Sequence, residues 1–316
     1  MVLPAITLGY AVPTGDFDAS VHSIFHSAMN LRLKDGDAFL TLVLSSEPDL
    51  PQGIRLDAPE GFSFEKFHIG ELAICRDGIL HLEKSRLSVQ LRNAWHREYD
   101  LSRLEIDTGN PAVSAAWDLA WEALNERQKR LNAEIIAEDL LRPDPSIQPG
   151  VPSKAGRAIR ELVMATRQLD LTGALAIEAL IGLGSGLTPS GDDLLAGYMA
   201  GLWCTVRKQK ERVQFIRELG KKVIGLSVRT NDISRTYLFH AARGQVSSPL
   251  AALADAISRG DKSEHLLEVA EKAMQNGSTS GMDAVTGLLV GISAWNSEKT
   301  TEMYSASASK KKHEIS

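Results

Sequence analysis

Ser190-Gly-Asp-Asp-Leu-Leu-Ala-Gly-Tyr-Met-Ala-Gly201 and Ser280-Gly-Met-Asp-Ala-Val-Thr-Gly-Leu-Leu-Val-Gly291 align without gaps, sharing the pattern S-G-x-D-x-x-x-G-x-x-x-G. Residues four apart lie on one face of a helix, so Asp193, Gly197 and Gly201 form one stripe, and Asp283, Gly287 and Gly291 another. Each glycine costs a helix about 1 kcal/mol relative to alanine. The return is that another backbone can approach closely. The repeat therefore predicts two closely packed helices in the C-terminal half, each carrying an aspartate at its N-terminal end. If the pair forms one site, the two N-termini lie at the same end and Asp193 and Asp283 face a shared pocket.

The approach to the first copy, Gly182-Leu-Gly-Ser-Gly-Leu-Thr-Pro189, is glycine-rich and ends in a proline suited to a first helical turn. A flexible backbone entering a helix N-terminus is a cradle for a small anion. The amides of Gly184, Ser185, Gly186 and Gly191 are the expected donors. Thr188, Ser190, Asp192, Ser280 and Gly281 complete the expected binding set. The alternative is purely structural: Ser190 with Asp193, and Ser280 with Asp283, each fit a capping box.

Outward from this centre the chain changes character. Val21–Ser27, Ala38–Leu44 and His68–Ile74 are short runs rich in β-branched and aromatic residues, separated by turn signals. Asp77-Gly78 between Ile74 and Ile79 predicts a tight hairpin. From Ala112 to Leu141 apolar residues recur at helical spacing, predicting one long helix, an alternative use of which is an interface. Arg142–Pro152 holds four prolines and reads as a linker. Helical patterns resume at Ser153 and run to about Trp295. The expected class is α+β: a β-rich domain over 1–110, an α-helical domain over 111–296, and a polar, disordered tail over 297–316.

The 316 residues suffice for two domains, and a formal net charge of -5 gives no global attraction for nucleic acid or an anionic membrane. Cys75 and Cys204 are isolated, which argues against zinc or a disulfide framework and fits a reducing compartment. The N-terminus lacks a basic start, and Leu194–Val206 is too short for a membrane span of about 20 residues. A cytoplasmic protein is expected. The five histidines of the β-rich part lack ligand spacing, no metal centre is expected, and there is no G-x-S-x-G elbow. His240 follows Asp232-Ile-Ser-Arg at helical spacing and is a further candidate for the site.

Gly182–Gly197 as quoted resembles the signature of the family that contains the AllH-type subunit of oxamate carbamoyltransferase. Thr230-Asn-Asp-Ile-Ser-Arg-Thr-Tyr-Leu238 with Ala241 and Gly244 looks like that family's central helix. Gly277–Asp283 looks like its third segment, with Ser278 where a histidine is common. Val21–Leu33 and Pro51–Ile54 also fit. The resemblance implies phosphorolysis of oxalurate to oxamate and carbamoyl phosphate, downstream of allantoin in purine breakdown, in a hetero-oligomer with different subunits. It carries no catalytic assignment.

The chemistry supplies one. Carbamoyl transfer needs an anion site, charge stabilisation and orientation of two reactants. Arg229 and Arg235, flanking Thr230–Ser234, are the candidate cations for phosphate. Asp193 and Asp283 are the candidate catalytic carboxylates, and Thr230 and Ser234 candidate substrate contacts. The carboxylates would repel an anion unless they accept hydrogen bonds from the amide groups of oxalurate or oxamate, the favoured reading, or hold Mg2+. Two other functions compete. Gly182-Leu-Gly-Ser superficially resembles the phosphate loop of galactokinase-like kinases, without the Lys-Ser/Thr ending of a P-loop. A non-catalytic assembly subunit is the third reading.

Overall fold

A computed structural model describes residues 1–36, 38–140, 151–206, 209–262, 264–277 and 279–296. Residues 142–150 of the expected linker, Ser278 and the tail over 297–316 lie outside them; the last two linker residues, Val151 and Pro152, instead form the first turn of a helix, where proline's missing N–H costs nothing. The chain forms two compact units, Met1–Tyr99 and Asp100–Ser316. The segment 100–110, read with the β-rich part, packs with the second unit: Leu101 N donates to Gly244 O, and Ile106 N to Cys204 O, each at 2.8 Å.

The first unit holds β1 (Val2–Gly9), β2 (Phe17–Ile24), β3 (Ala28–Leu33), β4 (Phe39–Leu44), β5 (Gly53–Leu56), β6 (Leu72–Arg76), β7 (Ile79–Leu82), β8 (Leu87–Gln90) and β9 (Trp95–Arg97). Strand order is β5-β4-β3-β2-β6-β7-β8-β1, and an antiparallel β1–β5 pairing closes it into a barrel. β9 continues along β1 beyond β8. Alternate residues point inward as the pleat requires: Phe17, Ala19 and Val21; Ala73 and Cys75; Leu80 and Leu82; Leu87 and Val89. An eight-stranded barrel is just wide enough for such side chains to fill it. The predicted hairpin is present. Arg76 pairs with Ile79, and Asp77 and Gly78 both have positive φ, 50° and 70°, the two-residue turn that matches strand twist.

The second unit is helical: α1 (Pro111–Arg130), α2 (Ala137–Leu140), α3 (Val151–Gln168), α4 (Ala174–Leu180), α5 (Ser190–Trp203), α6 (Lys210–Leu226), α7 (Asp232–Ala241), α8 (Ser248–Ser258), α9 (Glu264–Met274) and α10 (Ser280–Ser293). The α+β class read from the sequence is therefore correct. The single helix over Ala112–Leu141 is not. It stops at Arg130 because Asn132 adopts φ 50°, with Ala133 N donating to Gln128 O and Asn132 N to Lys129 O. This is a Schellman stop, and asparagine tolerates the left-handed position. One face of α1 is occupied internally: the buried Trp117 indole donates to Leu289 O at 2.9 Å, and buried Gln128 donates to Thr286 Oγ1 at 3.0 Å.

At the centre lie α5 and α10. Leu194, Leu195, Tyr198, Met199 and Leu202 of α5, and Leu288 and Leu289 of α10, are fully buried. A helix apolar all round belongs in a core.

Candidate functional site at the paired helix N-termini

A side chain added at Gly197 would strike the carbonyl oxygen of Ala284, and one at Gly201 that of Leu288. Reciprocally, a Cβ at Gly287 would meet Leu194 O, and one at Gly291 Tyr198 O. Contacts on both helices advance together toward higher residue numbers. The helices are parallel and in register along the repeat, and their N-termini lie at the same end.

The environment of those N-termini is duplicated too. Gly191 sits against the last carbonyl of α4, Leu180 O, and Gly281 against the last carbonyls of α9, Ala273 O and Met274 O, with no room for a Cβ at either. Gly191 N donates to Leu183 O and Gly281 N to Asn276 O, both at 2.8 Å. Asp193 N donates to Pro189 O, and Asp283 N to Thr279 O. Each half is thus a helix whose C-terminal end packs on the N-terminus of the next helix through a loop.

The capping-box alternative is not what forms. The N-cap positions are Pro189 and Thr279, neither with a side-chain cap bond, and Ser190 and Ser280 are already helical. The serines act across the interface instead. The hydroxyls of Ser280 and Thr188 act on the Asp193 carboxyl, and those of Ser190 and Thr279 on Asp283. Thr188 and Ser280 are themselves hydrogen-bonded, at 2.6 Å. Among the described residues, one oxygen of each carboxyl, Oδ2, is buried without a hydrogen-bond partner.

Burial dominates the electrostatics. It pushes Asp193 well above the usual carboxylate range against the pull of Ser280, and the Asp283 charge adds to the rise. It pushes Asp283, 3% exposed, up to about 7, against the pull of Ser190 and Thr279 and with repulsion from Glu134. Both carboxyls are thus shifted toward their protonated forms, in which a carboxyl can donate as well as accept a hydrogen bond.

Asp192 is different. Its Oδ1 accepts Gly182 N at 2.8 Å and its Oδ2 accepts the Thr230 hydroxyl at 2.5 Å. Ser234, fully buried, faces the same carboxyl. Burial raises its pKa despite these donors. Asp192 and Thr230 therefore clamp the start of the glycine loop to the segment entering α7, whose first turn is capped by Asn231 Oδ1. Of the three expected substrate contacts, Asp192 and Thr230 bond to each other, and the buried Ser234 hydroxyl has no hydrogen-bond partner among the described residues.

The loop itself takes positive φ at alternate positions: Gly182 (73°), Gly184 (106°) and Gly186 (97°). Only glycine visits that region freely, which accounts for the spacing. Among the described residues the backbone amides of Gly184, Ser185 and Gly186 donate to no protein acceptor, whereas that of Gly191, also read as an anion donor, is taken by Leu183. Gly191 and Gly281 serve close packing. Arg229, half exposed, pairs with Glu178 of α4. Arg235 stands in the first turn of α7 beside Ser234 and is partly buried. His240 lies at the far end of α7, 5% exposed, where burial lowers its pKa to about 4. Among the described residues no cluster of three or more His, Cys, Asp or Glu has a metal-holding arrangement, and no helix is long and apolar enough to cross a membrane.

Two family models match. The model of the oxamate carbamoyltransferase subunit AllH spans residues 180–292, from the last residue of α4 almost to the end of α10. The model of the AllH family N-terminal domain spans residues 7–98, almost the whole barrel unit. The chain belongs to the AllH family. No curated protein and no solved structure matches it. As a member of a family of carbamoyltransferase subunits, this AllH-family chain has other subunits as its partners.

Residue-by-residue reading missed Thr279 and Glu134. Thr279 stands where the first copy has Pro189, so the repeat alignment hides it. Glu134 reaches Asp283 only because the Schellman stop turns the chain after α1.

Proposed function

We propose that this chain supplies the site at which oxalurate and phosphate become oxamate and carbamoyl phosphate, a step of purine-nitrogen breakdown downstream of allantoin. The observation that carries the reading is a pair of buried carboxyl oxygens without partners, Asp193 Oδ2 and Asp283 Oδ2, next to a loop with unspent amides. A carbamoyl substrate brings the complementary groups: N–H donors for the carboxyls and an anion for the loop.

In this reading phosphate rests on the amides of Gly184, Ser185 and Gly186. One phosphate oxygen attacks the carbamoyl carbon. The new C–O bond forms, the C–N bond to the oxamate portion breaks, and the departing nitrogen takes a proton. Asp283, with a pKa of about 7, holds that proton at neutral pH and is the general acid. Asp193 accepts an amide N–H and orients the carbamoyl group, helped by Ser280 and Thr188. Protonation also removes the repulsion that two carboxylates would exert on phosphate.

Arg229 is the recruitable cation. Its pair with Glu178 is exposed on both sides, 49% and 44%, and such a pair contributes about 0–1 kcal/mol, so an arriving dianion competes for it. Arg235 is the second cation. In the alternative reading Asp193 and Asp283 would hold Mg2+, which would supply positive charge for the phosphate. Cys75 and Cys204, both free and buried, agree with a reducing, cytoplasmic setting.

The test is turnover of the complex reconstituted with its other subunits. Asp193→Asn and Asp283→Asn should each lower carbamoyl phosphate formation by about 100-fold or more, with folding intact. Full activity in both variants would make this a non-catalytic assembly subunit, and the repeat a packing device.

A further inference from the structure

The two halves of the site share one construction. Each has a serine at the first helical position acting on the opposite aspartate. Each has a glycine packed on a preceding helix end. Each leaves one carboxyl oxygen buried and unpartnered among the described residues. The difference is loop length. The bond from Gly191 N to Leu183 O encloses residues 184–190, whereas that from Gly281 N to Asn276 O encloses only 277–280. The three extra residues carry the positive-φ glycine Gly186 and the exposed Ser185 and Leu187.

The shared construction of serine, aspartate and packed glycine does not by itself give the site a direction. An unsymmetrical ligand such as carbamoyl phosphate, with an amide at one end and a phosphoryl group at the other, would enter it either way round. We infer that the three-residue extension Ser185-Gly186-Leu187 is the orientation-determining element, holding the phosphoryl end at the first half while the acid pair Asp193/Asp283 reads the amide end. This rests on the site reading above and adds the division of labour between the halves. Gly186 fits the role because its added Cβ would meet nothing within 4 Å. Its glycine identity is required by φ alone, not by packing, and its open side is available to a ligand.

The experiment is calorimetric titration of the full chain with inorganic phosphate and, separately, with oxamate. Removing residues 185–187 makes the first loop as long as the second. That variant should lose about tenfold or more in phosphate affinity while oxamate affinity stays within about threefold. Asp283→Asn should show the opposite pattern. Gly186→Ala, which alters backbone conformation without a clash, is the milder second variant and should follow the deletion in direction. Circular dichroism confirms that each variant is folded. Parallel loss of both ligands in the loop variants overturns the orientation role while leaving the site standing. So does phosphate affinity that survives the deletion. Wild-type chain that binds neither ligand overturns the site, and this inference with it.

Discussion

Ser280 and Asp193, on different helices and in different copies of the repeat, face one another across the α5–α10 interface, and Ser190 and Asp283 form the mirror arrangement. Neither serine serves its own helix. The crossed pairing exists only because α5 and α10 run parallel and in register, so the acid pair and the glycine stripes beneath it are one construction.

The first prediction concerns that stripe. Gly197→Ala or Gly287→Ala inserts a methyl group into the opposing backbone at Ala284 O or Leu194 O, with no flexible side chain to yield. Overpacking a rigid core costs about 1–3 kcal/mol and here should reach or exceed the upper end. Denaturant unfolding measures it. Changes under about 0.5 kcal/mol in both variants would contradict the backbone-to-backbone packing.

The second concerns pH. The folded pKa of Asp283 is raised to about 7 by burial, with Ser190 and Thr279 pulling against it and the Glu134 charge adding to it. Folding then favours the protonated form. That stabilisation is complete below the unfolded value, near 4, and is lost as pH rises to about 7. Asp283→Asn cannot ionise, so its stability relative to wild type should increase between pH 4 and pH 8 by roughly 4 kcal/mol. Paired unfolding curves across that range test the sign. A difference that shrinks with rising pH is the contrary result.

The third concerns the Asp192 clamp. Asp192→Ala strands the Gly182 amide and the Thr230 hydroxyl and should destabilise the fold by about 2–3 kcal/mol; Thr230→Val removes one donor and should cost about 1 kcal/mol. Hydrogen exchange at the Gly182 amide should accelerate in the alanine variant. Unchanged protection there would show that the clamp does not hold the loop.

The fourth separates ligand effects from stability. Arg229→Ala breaks an exposed ion pair and should change unfolding free energy by less than about 0.5 kcal/mol. On the proposed function it should still weaken phosphate binding several-fold, and more so at low salt. A variant with unaltered phosphate affinity would remove Arg229 from the site.

Much of this was legible in the sequence because repetition of S-G-x-D-x-x-x-G-x-x-x-G is a statement about one helix face, and a face of glycines has few uses besides close contact. The Asp77-Gly78 hairpin was legible for a similar reason: two adjacent positive-φ positions leave little residue choice. Barrel closure was not, since the β1–β5 pairing joins Ala5 to Leu56 and no local pattern marks such a partner. The break after Arg130 was hidden because Asn132 is unremarkable until its φ is known. The roles of Asp192 and Asp193 could not be told apart from spacing. Adjacent residues on a helix point about 100° apart, and only the position of α7 shows that one carboxyl is spent on Gly182 and Thr230 while the other keeps an unpaired oxygen.

The parallel sense of α5 and α10 has a consequence for the empty protein. Two helices lying side by side in the same direction bring like ends together, so their peptide dipoles repel where an antiparallel pair would attract. The acids at the shared end cannot cancel this, because burial keeps them largely protonated. The positive ends of both helix dipoles therefore lie at one end of the core. On the proposed function, an anion held at that end would meet two helix dipoles at once, and melting temperature should climb with phosphate concentration.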